Sequence, residues 1–184
     1  VARRQADASV SREAIVEGTV AVLIEHNLTD WTVDSVAAKV KCAKGLVLYH
    51  FQSKDSLLRH AAERVRENHA SRWIGAVQGQ RGTQALDRLW DELAKEVRSG
   101  AFGLWVALVG HEPTRRAAAR TATHDQGLIG AASEALGIPS DSASLAMVPA
   151  ALDGFGLELL QGRPTADVRD RFDAFWLTVL SEAD

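Results

Sequence analysis

The chain has 184 residues, 46% of them apolar and 24% charged, with a net charge of -3. That length buries roughly 70% of the unfolded surface as one domain or two small ones, and so little net charge excludes a chain unable to collapse. Collagen-like and mucin-like compositions are excluded too. No run approaches the roughly 18 consecutive apolar residues of a membrane span, and the stretch Val1–Asp7 leads into no apolar signal segment. The expectation is a cytoplasmic protein without a membrane partner. Cys42 is the single cysteine, so an internal disulfide and a zinc site of paired cysteines are both excluded. No metal or cofactor is expected.

Prolines occur only at 113, 139, 149 and 164, which leaves the first 112 residues free of helix breakers. Ser11 caps a predicted helix with Ile15, Val16, Thr19, Val20, Leu23 and Ile24 on one face, and Asn27 offers a left-handed stop. Thr32 caps a second, short helix carrying Val33, Val36, Ala37 and Val40. The run Leu46–Phe51 reads locally as a strand, but no other segment alternates with period two to pair with it, so it is predicted as helix. Ser53 caps a long amphipathic helix over 54–77, and Thr83 opens another that ends at Gly100. A shorter element spans Phe102–Val109. Pro113 fits the first turn of a helix running to Leu136, Ser140 begins one reaching about Leu160 with Pro149 inside it, and a last helix ends near Glu182. The expected fold is all-α, with about nine helices and no sheet.

Charge is unevenly spread. Residues 39–54 contain Lys39, Lys41, Lys44 and Lys54 and neither Asp nor Glu. A basic patch on an acidic body is the footprint of a nucleic-acid contact, although a solvated helix face has the same composition, so charge alone leaves both readings open. The arrangement adds more. Two short helices joined by a tight turn at Lys41-Cys42 can place the second in a DNA major groove about 12 Å wide. Thr32 before it, Tyr49 and His50 at its end and Lys54 beyond it supply donors for phosphate on either side.

The segment from Thr32 to Leu58 resembles the DNA-binding region of the tetracycline-repressor (TetR) family. The resemblance rests on the Lys44-Gly45 opening of the second short helix, its Tyr49-His50-Phe51 end, and the following Ser53-Lys54-Asp55 with Leu57. It extends back over the helix Ser11–His26, covering roughly the first third of the chain. It implies a homodimeric transcriptional regulator, acting as a repressor on double-stranded DNA at a palindromic operator. Residues 1–53 would be its helix-turn-helix DNA-binding domain and 54–184 its helical effector-binding and dimerisation domain. A small-molecule effector would release it from DNA. By the family pattern Lys44, Gly45 and Leu46 face the groove, and Thr32, Tyr49, His50 and Lys54 hold phosphates. Three positions depart from that pattern. Lys41 stands where glycine is usual, Ala43 replaces a Ser or Thr cap, and Leu48 occupies a position that often carries a phosphate-binding tyrosine. Losing the cap costs about 1 kcal/mol of helix stability, while Lys41 offers a compensating phosphate contact; both Lys41 and Ala43 count with the interface.

The second part of the chain is less informative. Trp90, Phe102, Trp105, His111 and Met147 are candidates to line an apolar effector pocket, with His111 or Asp153 as polar anchor, although core packing accounts for any one of them. Asp153 stands among apolar neighbours and should have a partner. The last two helices carry more apolar surface than a monomer hides, and by the resemblance they form a two-fold four-helix dimer interface. An all-helical enzyme is the competing class. His60 and His69 are nine residues apart and His111 and His124 thirteen, so neither pair makes the i, i+4 spacing of a helical metal site. There is also no nucleophile elbow or P-loop. A pure protein-interaction bundle would leave the lysine cluster and Tyr49-His50 without a role.

Overall fold

The computed structural model describes residues 10–181. The stretch Val1–Asp7 and the expected helix end at Glu182 lie outside them. Among the described residues the chain forms eleven helical segments and no strand. They are α1 (Arg12–Asp30), α2 (Val33–Lys39), α3 (Lys44–Phe51), α4 (Lys54–Val77), α5 (Thr83–Arg98), α6 (Ala101–Gly110), α7 (Arg115–Ala118), α8 (Ala122–Leu136), α9 (Ala143–Ala146), α10 (Val148–Leu160) and α11 (Thr165–Ser181). Two expected helices are each divided. Thr121, in extended geometry, caps a new helix after α7 with its side chain and so breaks the stretch 113–136. Pro149 sits in the first turn of α10 rather than inside a longer helix, because it lacks an N–H and its ring blocks the preceding turn.

The chain groups into two compact units, residues 1–67 with 104–119 and residues 68–103 with 120–184, so the divisions fall inside α4 and α6. In the first unit Ser11 caps α1, accepting from the Ala14 amide at 3.1 Å. Ile15, Val16, Thr19, Val22 and Leu23 of α1 are buried, and Thr19 returns its hydroxyl to the Ile15 carbonyl at 2.7 Å. Asn27 takes a left-handed φ of 64°, yet the chain resumes helix to Asp30, so the expected stop is a kink. Gly18 faces Val40 so closely that a Cβ at 18 would collide with the valine methyl, which sets how tightly α1 lies on the end of α2. Elsewhere in this unit Trp105 donates to the Ala118 carbonyl at 3.1 Å, and the buried Thr114 hydroxyl donates to the Leu108 carbonyl at 2.7 Å.

The second unit is built on the strongly amphipathic α5, whose Leu86, Leu89, Trp90 and Leu93 are buried. Glu96, three residues after Leu93 and seven after Leu89, falls on this buried face by helical period and is 1% exposed despite its charge. Its carboxylate is satisfied by three donors: His69 Nδ1 at 3.0 Å, the Trp73 indole at 3.0 Å and Arg72 at 3.1 Å. A buried charge persists only with such pairing. His69, 2% exposed, lies between Glu96 and Asp153, whose Oδ1 is 3.9 Å from its Nε2. Arg120 in turn reaches Asp153 at 2.6 Å. Aromatic rings surround the network, with Trp73 at 4.3 Å and Phe102 at 5.8 Å between centroids from His69.

Burial by itself pulls the His69 pKa down, but the Asp153 and Glu96 carboxylates outweigh it and hold the imidazole above its ordinary value. The folded state therefore binds more protons than the unfolded chain, and this contribution to stability is complete below about pH 6.5 and lost as pH rises through the raised folded value. Urea unfolding from about pH 6 into the alkaline range is expected to record falling stability. His69→Gln should flatten that dependence, and an unchanged slope would remove His69 as its source.

Candidate nucleic-acid interface

Helices α2 and α3 form a helix-turn-helix because the residues between them cannot continue a helix. The Val40 amide still bonds to Val36, then Lys41 turns left-handed at φ 57°. The Cys42 amide closes the turn on the Ala37 carbonyl at 2.9 Å. A lysine in this conformation costs about 1 kcal/mol that glycine would not. Ala43 starts α3 from extended geometry and provides no side-chain cap. Thr32 caps α2 reciprocally with Ser35, each hydroxyl taking the other's amide at 3.0 Å. Val33, Val36, Ala37, Val47 and Phe51 are turned inward, so α3 is held by its buried side and presents the other.

That outward side carries Lys44, Gly45, Leu48 and Tyr49, with Leu46 half-buried beside them. Tyr49, the single tyrosine, is 79% exposed and stands edge-on to His50 at 5.4 Å. Gly45 is exposed, and a Cβ there would meet no atom of the chain within 4 Å. A helical glycine lowers stability by roughly 0.5–1 kcal/mol relative to alanine, so nothing in the chain's own packing accounts for it.

The lysines are less available than the charge count implies. Lys44 Nζ lies 2.7 Å from Asp34 Oδ2, both side chains being more than half exposed. Lys39 pairs with Glu25, and this hydrogen bond holds the Glu25 carboxyl below its ordinary pKa. Lys54 donates to the Trp31 carbonyl at 2.9 Å, with its ammonium 4.6 Å from the centre of the Trp31 ring. Ion pairs so exposed are worth little and exchange readily for phosphate. Trp31 and Asp34 were not marked by the pattern of the sequence. Trp31 lies outside the helical period of α1, and Asp34 meets Lys44 only across the turn.

Beyond the first three helices, the six residues proposed for an effector pocket are distributed. Trp105 and His111 belong to the first unit, where His111 Nδ1 approaches the Thr114 hydroxyl at 3.2 Å. Trp90 packs on Phe172 at 5.3 Å between centroids. Met147 is 61% exposed. Phe102 and Asp153 both lie close to His69, at 5.8 Å between ring centroids and 3.9 Å from Nε2. Among the described residues no group of three or more His, Cys, Asp and Glu could hold a metal ion, and no helix is long and apolar enough to cross a membrane.

Residues 15–61 match the family model of bacterial regulatory proteins of the tetR family. Solved structures share the fold. A protein of Pseudomonas aeruginosa PAO1 described as a transcriptional regulator superposes with a TM-score of 0.68 at 18% identity, over 97% of this chain and 96% of its own. One from Rhodococcus sp., described as a tetR-family transcriptional regulator, gives 0.66 at 18% identity, over 94% and 97%. The multidrug binding protein EbrR complexed with imidazole gives 0.62 at 20% identity, over 89% and 88%. A search of curated protein sequences finds no match. Residues 15–61 are thus an N-terminal domain of the kind found in the tetR family of bacterial regulatory proteins.

Proposed function

We propose that the protein is a cytoplasmic homodimeric repressor that reads a palindromic operator through α3 and leaves it when a small effector binds. The observation that carries this reading is the outward side of α3, where a glycine without a packing reason lies between Lys44 and the exposed Tyr49. A backbone bare of a Cβ can approach a base edge or phosphate closely, and Lys44 beside it can donate to a guanine. Tyr49 and His50 at the other end, with Thr32, Lys41 and Lys54, are assigned to phosphate. Thr32 still has its hydroxyl proton to give after accepting from Ser35. Residues 1–53 are the reading head in this proposal and 54–184 its sensing and pairing part.

A homodimer is supported by the apolar side chains that α10 and α11 leave outward. Leu157, Leu160 and Leu177 are 38%, 43% and 68% exposed. A second copy would cover them in an isologous contact and set two recognition helices about one turn of DNA apart, roughly 34 Å or more. The effector is supported by likeness: EbrR, similar in fold, has been solved with imidazole, malachite green and proflavin. A ligand that binds better to a form with different head spacing would shift the population away from DNA.

Selection of bound duplexes from a random library is expected to enrich an inverted repeat; binding that is absent even at low salt would end the DNA reading. On the selected operator, Lys44→Ala should cost about 1–3 kcal/mol and relax preference at one position. Lys41→Ala should weaken all duplexes alike and reduce the salt slope by about one. Gly45→Ala should raise the stability of the free protein by about 0.5–1 kcal/mol while weakening operator binding, and unchanged binding would remove the close approach. Leu177→Glu should leave the helical circular dichroism intact and convert dimer to monomer in sedimentation.

A further inference from the structure

Asp153 is a carboxylate in the middle of the otherwise apolar helix α10 (Val148–Leu160), apart from Glu158 near its end, with its side chain 23% exposed. Its strongest partner comes from outside the packed helices. Arg120 lies in the linker between α7 and α8 and donates to Asp153 Oδ1 at 2.6 Å and, through Nε, to Asp125 Oδ1 at 2.9 Å. Its guanidinium carbon lies 5.5 Å from the centre of the Trp73 ring. The ring is itself fixed, because the indole N–H is bound to Glu96, which Arg72 and His69 hold in turn. A carboxylate in hydrogen-bond reach, an oriented aromatic face and a second carboxylate at the rim are the parts of a receptor for a planar cation.

We propose that this nest is a binding site for a planar aromatic cation of the amidinium type, and that Arg120 is an internal stand-in which the ligand displaces. The proposal rests on the effector reading above and names the ligand's chemical class. Charge decides the class. An incoming cation replaces the arginine cation at Asp153 and Asp125, whereas a neutral ligand in its place would leave these carboxylates with one positive partner fewer, His69 Nε2 lying 3.9 Å from Asp153 while its Nδ1 is bound to Glu96, and an anion would face Asp153, Asp125 and Glu96 together. Displacement is also local, since Arg120 lies in the linker, outside the helices on either side.

The test is a titration of the purified full chain with benzamidinium and with its neutral isostere benzamide, followed by calorimetry and tryptophan fluorescence. Wild type should bind benzamidinium and not benzamide. Arg120→Ala should bind it about tenfold tighter or more, because the internal competitor is gone. Arg120→Gln, which keeps a donor for Asp153 without the charge, should behave likewise if the alanine variant loses its fold. Asp153→Asn should abolish binding with helical circular dichroism retained. Arg120 variants that bind no tighter than wild type, an Asp153→Asn protein that binds equally well, benzamide binding as well as benzamidinium, or no binding to any form would each overturn the site. Operator binding is measured in parallel. Benzamidinium that binds with the expected pattern yet leaves the operator complex intact supports the site and refutes its effector role. Failure of the site with operator binding unimpaired leaves the DNA reading standing.

Discussion

The bond from the Cys42 amide to the Ala37 carbonyl closes a turn only a few residues long, and the direction of every outward side chain on α3 depends on it. Closing the turn requires a left-handed residue, and here that residue is Lys41. The conformational cost is about 1 kcal/mol and falls on a head that also lacks a side-chain cap at Ala43. What offsets these costs is behind the turn. Gly18 admits Val40 against α1, Thr32 and Ser35 cap each other's amides, and Trp31 is buried with Lys54 resting on its ring. The head is therefore held by packing and caps on its inner side, which leaves its outer side free for polar contact rather than for stability.

That division changes how the basic patch works. Of its four lysines, Lys39 and Lys44 are matched to carboxylates and Lys54 to a carbonyl and an indole. A phosphate or base must compete with groups already in place. In the proposed reading the electrostatic pull on any duplex is thereby weakened relative to four free ammonium groups, while a sequence that offers Lys44 a better acceptor than Asp34 would gain by comparison. The second unit applies the opposite logic. Glu96 is so enclosed that each of its donors is needed, and His69, Trp73 and Arg72 are locked in orientation by the carboxylate they share.

Local period carried most of the fold. The faces of α1, α2, α4 and α5, the caps at Ser11, Thr32 and Ser53 and the end at Gly100 are consequences of neighbouring residues, and such consequences can be read along the chain. Leu46–Phe51 has the local composition of a strand and is helix, and among the described residues there is no strand for it to join. The breaks before Ala122 and Val148 depended on whether a Thr cap or a proline would win over helical continuity, which the alternation of apolar residues does not decide. The residues proposed to face DNA form one group along the chain because turn, helix and flanking donors are contiguous. Their present partners were not legible, since Asp34 and Trp31 reach Lys44 and Lys54 only once the turn is folded. The second unit was least legible. Glu96 and His69 are 27 residues apart, Arg120 and Asp153 33, and only tertiary packing brings each pair together.

Cys42, the one thiol of the chain, is half-buried in the turn that carries the reading face. In a two-fold assembly this gives one chemically unique sulfur per reading head and no others to block. For the proposed dimer, a pair of spin labels placed there would act as a built-in ruler, reading the separation of the two heads with and without DNA in the unsubstituted protein.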